Sequence, residues 1–450
     1  MNGLGGVARR VRDATTGESL RAQLLRGGIG SIAVKTAHAA LAFTLAVVLA
    51  RILGPEGYGI YSFALAVLML SAIPAQVGIP HLVIRETAKA ETNEDWGLMR
   101  GLWRWANWAV VAFSALALLI VGAVLLLPNL TDSPRASTVA IGIGLIPLIA
   151  LANVRAACLR GLRKVVQGQL PESVVRPALL LVFVFLAAHL VPHDNGFAPG
   201  HAMMAYIAAA ALAFIVGAYL LWRARPEPLR QAPTPAFQTT DWAKAVIPLA
   251  MITGLQLVNN YADLIILGIF WSDDDVGIYR VVSQTALLAS FAFHLLGKVI
   301  QPHLAALYNK GDISRLQSLV SVSIRIVLLF GVAVSLGFLI FGEPILSYIF
   351  GEAYSAGFLA LVILSIGKLL YSTMGIAWHV LNMSGHQMAT FKVSIFASLS
   401  NIALNLALIP QFGMEGAALA TTISFGIFFI CIHRAVRQLT GIRVGPNLRP

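Results

Sequence analysis

The chain has 450 residues, 58% of them hydrophobic and 12% charged, with a mean hydropathy of +0.79. Soluble domains carry about 25% charged residues, so the chain is not a soluble domain. Nor is its formal charge of +12 a nucleic-acid footprint, because the basic residues sit in loops between apolar runs, where they orient a membrane protein.

The first residues, 1–27, are mixed and carry Arg9, Arg10, Arg12, Arg21 and Arg26. They read as a cytoplasmic N-terminal segment with no cleavable signal peptide, able to form a short surface-lying helix. A hydrocarbon core takes about 20 apolar residues per helix, and that ruler predicts about twelve spans in two sets. The first set covers 29–52, 60–80, 105–127, 136–158, 173–191 and 201–222. The second covers 245–270, 279–300, 316–341, 356–380, 390–409 and 414–433. The break between the first two spans rests on Gly54-Pro55-Glu56-Gly57. A linker at 223–244 is stiffened by Pro226, Pro228, Pro233 and Pro235. The expected fold class is therefore all-α: a polytopic membrane protein with two pseudo-symmetric six-helix bundles around a central cavity. The expected divisions are an N-terminal bundle over 28–222, a C-terminal bundle over 245–433 and a cytoplasmic tail over 434–450.

An internal repeat supports that division. Gly59-Ile60-Tyr61 and Pro80-His81-Leu82 recur as Gly277-Ile278-Tyr279 and Pro302-His303-Leu304, each pair spaced by one apolar segment and followed by a polar, partly basic loop. Duplicated halves in a membrane chain point to a transporter. Loops carrying Arg85, Lys89, Arg100 and Arg104, then Arg160, Arg163 and Lys164, then Arg223, Arg225 and Arg230, alternate with loops nearly free of Lys and Arg. Arg135 is the clearest exception. This asymmetry predicts that both termini are cytoplasmic.

Charged and polar residues inside the spans are the candidate site, because each is costly in hydrocarbon unless it faces water or a partner. At helical spacing they form stripes: Ser31, Lys35 and His38; Gln256, Asn260 and Asp263, with Asn259 beside them; Ser290, His294, Lys298 and Gln301; Ser365, Lys368 and Ser372; and Ser394, Ser398, Asn401 and Asn405. Arg325 adds a further cation. Lys35, Lys298, Arg325 and Lys368 are the expected cationic cavity. His38, Gln256, Asn259, Asn260, His294, Asn401 and Asn405 are its expected polar lining, and Asp263 is the ion-coupling candidate. A basic cavity suits phosphate or another polyanion. Each residue also has a plainer role: Arg51, Arg176, Arg280 and Lys392 as headgroup anchors, the histidines and asparagines as links between helices, and Asp263 as the neutraliser of a nearby cation. The sequence offers no catalytic constellation and no metal site; Asp273-Asp274-Asp275 reads as a solvated loop or a helix-start cap.

The run from Ala50 to Tyr61, Ala-Arg-Ile-Leu-Gly-Pro-Glu-Gly-Tyr-Gly-Ile-Tyr, resembles the opening signature of the bacterial polysaccharide transporters. These are O-antigen flippases of the multidrug/oligosaccharidyl-lipid/polysaccharide superfamily. Gly413-Met414-Glu415-Gly416-Ala417-Ala418-Leu419-Ala420-Thr421 resembles a late stretch of the same family. The resemblance implies a flippase, not an enzyme, in the bacterial cytoplasmic (inner) membrane. It would move an undecaprenyl-pyrophosphate-linked oligosaccharide, an O-antigen or exopolysaccharide repeat unit, from the cytoplasmic to the periplasmic leaflet by alternating access. It implies no cofactor beyond a coupling ion, H+ or Na+. Expected partners are the lipid-linked oligosaccharide, membrane lipids and other polysaccharide-assembly proteins, with no nucleic acid. Two alternatives stand beside it: an ion-coupled exporter of the multidrug and toxin extrusion type, whose cationic substrates would favour acidic rather than basic lining, and a membrane glycan polymerase or ligase, which would need a larger polar loop or paired catalytic acids.

Overall fold

The computed structural model describes residues 20–76, 78–127, 133–190, 196–231 and 233–442. Most of the expected N-terminal segment (1–19) and the last residues of the expected tail (443–450) lie outside the described residues. Among those described, every regular element is helical. In chain order they are α1 (Leu20–Ser71), α2 (Ile73–Gln76), α3 (Ile79–Thr92), α4 (Trp96–Leu125), α5 (Pro134–Gly142), α6 (Leu145–Gly161), α7 (Val165–Leu170) and α8 (Arg176–Leu190), with a π-helical turn, Pro171–Val175, joining the last two. Next come α9 (Pro199–Ala224), α10 (Glu227–Arg230), α11 (Thr239–Phe270), α12 (Asp273–Ala286), α13 (Phe291–Asn309), α14 (Ile313–Phe350), α15 (Phe358–Met383) and α16 (Gln387–Thr440).

Ten helical stretches among the described residues are long and apolar enough to cross a membrane. The sequence predicts about twelve because α1 and α16 each hold two spans. Gly54 breaks α1 at φ 67°, and Gly413 breaks α16 at φ 55°. Both lie in the left-handed region that glycine enters without a Cβ penalty; Pro55 follows Gly54 directly, and Pro410 lies three residues before Gly413. A helix end strands carbonyls, and at both breaks the carbonyl four residues before the glycine accepts from an aromatic side chain. The Tyr354 hydroxyl donates to Ala50 O at 2.9 Å, and the Trp271 indole donates to Ile409 O at 2.8 Å. The predicted span at 136–158 is two helices, α5 and α6, and the one at 279–300 is α12 and α13 joined by a 3-10 turn, Leu287–Ser290.

The chain forms two compact units. One comprises 1–45, 71–196 and 200–254; the other comprises 46–70, 197–199 and 255–450. The end of the first predicted span and the first half of the second, 46–70, thus pack with the C-terminal half of the chain, and the first part of α11 packs with the N-terminal half. The core of the first unit includes Leu82, Met99, Leu102, Val110, Val154, Leu159 and Trp242. That of the second includes Leu304, Leu316, Val320, Val327, Leu381, Ile432 and Val436.

The repeat reappears in these cores. Leu82 is 0% exposed in one and Leu304 1% exposed in the other, each following an exposed histidine, His81 or His303. The loop after each copy ends in the same cap: Asp95 accepts from the Leu98 amide and Asp312 from the Arg315 amide, both at 3.1 Å. The Gly-Ile-Tyr copies meet within the second unit. A β-carbon on Gly59 would lie 1.8 Å from the Asp273 carbonyl oxygen, and one on Gly277 would lie 2.0 Å from that of Pro55. Only glycine permits this approach, the packing expected of small residues between membrane helices.

The proline-rich stretch 233–238 is strapped to the start of α4. Ala236 donates its amide to Gly97 O at 3.0 Å, and Arg100 Nη1 donates to Pro233 O at 2.6 Å. Gly101 makes room for it, since a β-carbon there would sit 1.7 Å from the Ala236 carbonyl oxygen.

Candidate functional site

Within the second unit, a polar chain runs through apolar helices. It begins at Asp263 on α11, whose Oδ1 accepts from the Leu264 amide at 2.8 Å and whose Oδ2 accepts from the Tyr279 hydroxyl at 2.7 Å. Tyr279, on α12, is 1% exposed and faces the Thr421 side chain on α16. Thr421 Oγ1 accepts a long hydrogen bond, 3.5 Å, from Asn401 Nδ2, and Asn401 Oδ1 accepts from Asn405 Nδ2 at 3.1 Å. Asn405 is fully buried, and its own Oδ1 has no hydrogen-bond partner, which makes it an open acceptor of the kind native interiors seldom leave unfilled.

Two cations act on the Asp263 carboxylate, Lys368 and Arg280. Lys368 reaches in from α15 with its ammonium 5.1 Å from the centre of the Phe425 ring, within cation–π range. Arg280 shares a hydrogen bond with the Tyr58 hydroxyl. Beside this chain, Asn259 Nδ2 donates to Ser398 Oγ at 2.6 Å, tying α11 to α16. The structure therefore gathers Asn259, Asp263, Lys368, Asn401 and Asn405 from three helices. Helical spacing groups residues along one helix and is silent on which stripes meet.

The remaining candidates of this unit are elsewhere. Gln256 and Asn260 lie on an exposed side of α11. His294 is exposed on α13 and acts electrostatically on His379, which pairs with Gln301 at 3.0 Å. Arg325 is half-buried on α14, its Nε without a hydrogen-bond partner. The side chain of Lys298 lies outside the described residues.

In the first unit, Lys35 is exposed on α1 and His38 Nδ1 pairs with Ser173 O at 3.0 Å. Two turns before His38, Ser31 donates to Gln169 Oε1 at 3.0 Å. Arg176 forms an ion pair with Glu172 at 2.8 Å and lies 5.5 Å above the Tyr206 ring. Arg155 stacks on Phe214, 3.2 Å from the ring centre, and donates to the Phe214 carbonyl. Sequence reasoning missed Glu172, Arg155 and Tyr279. The i, i+4 spacing of Glu172 and Arg176 was the available signal for the first. Arg155 sits close to a predicted span end and reads there as one more anchor. Tyr279 belongs to the repeat motif and reads as packing.

Among the described residues, no group of three or more His, Cys, Asp or Glu is placed to hold a metal ion. The arrangement offers instead a series of polar side chains, with a carboxylate and two nearby cations at one end and an unpaired amide oxygen at the other.

Comparison with known proteins shows what the chain as a whole is similar to. A family profile described as "Polysaccharide biosynthesis protein" matches residues 24–308, and one described as "Lipid II flippase MurJ" matches residues 172–446. A probable low-salt glycan biosynthesis flippase, Agl15 of Haloferax volcanii, is 27% identical over 171 residues, covering 37% of this chain and 36% of that relative. Across the curated relatives, the matches span from about a third to about half of the relative's length. A multidrug resistance MATE family transporter of the MOP superfamily, in its inward-facing conformation, superposes with a TM-score of 0.76. It shares 14% identity over 89% of this chain and 94% of its own. Lipid II flippase MurJ, in an inward closed conformation, follows at a TM-score of 0.71 with 14% identity, covering 91% and 87%. These likenesses establish the fold of that transporter superfamily. The chain belongs to the polysaccharide biosynthesis protein family, the group its Gly-Pro-Glu-Gly-Tyr run already resembled.

Proposed function

We propose that the protein is a flippase that carries a lipid-linked oligosaccharide across the membrane. The reading is supported most directly by the two family profiles, one of them named for a flippase, which together run from residue 24 to residue 446. The substrate is an undecaprenyl-pyrophosphate-linked O-antigen or exopolysaccharide unit, moved from the cytoplasmic to the periplasmic leaflet by alternating access. The protein sits in the bacterial inner membrane with both termini cytoplasmic, a placement that the distribution of basic loops supports.

The physical need is plain. A pyrophosphate and its sugars lose their water in hydrocarbon unless polar groups replace it, and Lys35, Lys298, Arg325 and Lys368 are the cations assigned to that task. The chain from Asp263 through Tyr279, Thr421 and Asn401 to Asn405 is the coupling element. Its carboxylate binds and releases a proton or sodium ion while the neighbouring Lys368 answers the change of charge.

The test is reconstitution into vesicles with a fluorescent prenyl-pyrophosphate saccharide and imposed pH or sodium gradients. Flipping that one gradient accelerates in the native protein, and not in Asp263→Asn, is the expected result. Native rates in Asp263→Asn and Lys368→Gln would overturn the coupling role. A complete absence of flipping under every gradient would overturn the function.

A further inference from the structure

We propose that a cleft between the start of α7 and the end of α9, in the first unit, binds the phosphate headgroup of an anionic phospholipid. The cleft has a volume of about 410 Å³ and is lined by Lys164, Gln167, Leu220, Arg223 and Ala224. It is separate from the polar chain of the second unit and does not depend on the transported substrate.

Its depth follows from the helices that build it. Val165–Leu190 and Pro199–Ala224 are both candidate spans. Lys164 stands one residue before the first, and Arg223 and Ala224 close the second, so the cations are set at the rim of the hydrocarbon, where phosphates lie. The aromatic residues beside them confirm the level. Tyr219 and Trp222 are 54% and 63% exposed and stack with ring centres 6.3 Å apart, the arrangement that amphipathic rings adopt at a membrane–water interface.

The lining selects the ligand. Two side chains of like charge converge on one cleft with an amide, Gln167, as neutral donor, and both are exposed. An anion between them relieves their repulsion and accepts their N–H groups. Arg230 Nη2 donates to the Arg223 carbonyl at 3.0 Å, bringing a third cation to the rim. The carboxylate of the same stretch, Glu227, is not among the lining residues. Leu220 and Ala224 supply an apolar wall that suits the glycerol and first acyl carbons of a lipid and offers a free phosphate nothing. Basic pockets of this kind between membrane helices are headgroup sites.

Native mass spectrometry of the full-length protein, titrated in detergent with dioleoylphosphatidylglycerol or dioleoylphosphatidylcholine, tests the assignment. The expected result is preferential retention of phosphatidylglycerol, weakened on the order of tenfold in Lys164→Gln/Arg223→Gln and partly in Lys164→Gln alone. The single change sits in an exposed loop and leaves the packing intact. The control Arg434→Gln/Arg437→Gln removes two exposed charges from the end of α16 and should bind as the native protein does. Undiminished binding in both Lys164 variants, equal retention of phosphatidylcholine, or displacement of the lipid by millimolar inorganic phosphate would each overturn it.

Discussion

Gly59 and Gly277 hold one another in a reciprocal contact: the β-position of each lies 3.0 Å from the amide nitrogen of the other. They are equivalent members of the internal repeat, so the duplication has placed its two copies face to face at the closest backbone approach available to helices. Adding a methyl group to either demands that two helices separate. Overpacking of this kind costs about 1–3 kcal/mol. Gly59→Ala and Gly277→Ala should each lower the melting temperature in detergent, followed by size-exclusion recovery after heating. Because both changes open the same gap, the double variant should lose less than the sum of the two.

Asp263 and Lys368 make a second pair with a measurable signature. Lys368→Met removes one of the two cations acting on the carboxylate, and Arg280 remains. Expected destabilisation is about 1–3 kcal/mol. Lys368→Met combined with Asp263→Asn removes the charge along with its partner and should recover part of that loss, as buried pairs do when both members go. A thermal-shift cycle over the four proteins reads the coupling directly.

Gly101 accommodates the strap that follows α10. Gly101→Leu drives a side chain into the Ala236 carbonyl and should release the stretch 233–238 from α4. Limited proteolysis at this segment, slow in the native protein, should accelerate, while Gly122→Ala should leave it unchanged. Gly122 lies on the same helix with no atom within 4 Å of its β-position.

Asp312 caps α14 outside the apolar span. The Arg315 amide and the Ser314 hydroxyl both donate to it, and these hold its carboxyl below the usual carboxylate range. A carboxyl depressed by folding contributes stability above its unfolded value, and that contribution disappears as the pH falls through the lower, folded value. Asp312→Asn keeps an acceptor but no charge. Its melting temperature should trail the native protein at neutral pH, and the difference should close on acidification through the carboxylate range.

Much of the fold was legible because membrane helices announce themselves by length and hydropathy. The two breaks that hide inside α1 and α16 were legible too, since Gly54 adjoins Pro55 and Gly413 lies three residues after Pro410. Less of the site could be read. The spacing of Gln256, Asn260 and Asp263 assigns them to one stripe, yet Asp263 turns to Tyr279 while Gln256 and Asn260 lie exposed. Asn259, treated as a bystander to that stripe, instead bonds Ser398, 139 residues away. A helical period fixes angles about one axis and carries nothing about the rotation of the next helix. The packing of 46–70 with the C-terminal half was illegible for the same reason, because chain order and hydropathy do not say which helices become neighbours.

The aromatic bonds from Tyr354 and Trp271 give the two broken helices a mechanical character. At each bend the stranded carbonyl already has an aromatic donor, from buried Tyr354 or from the Trp271 indole, and straightening would break that bond, so Gly54 and Gly413 hold their helices as elbows.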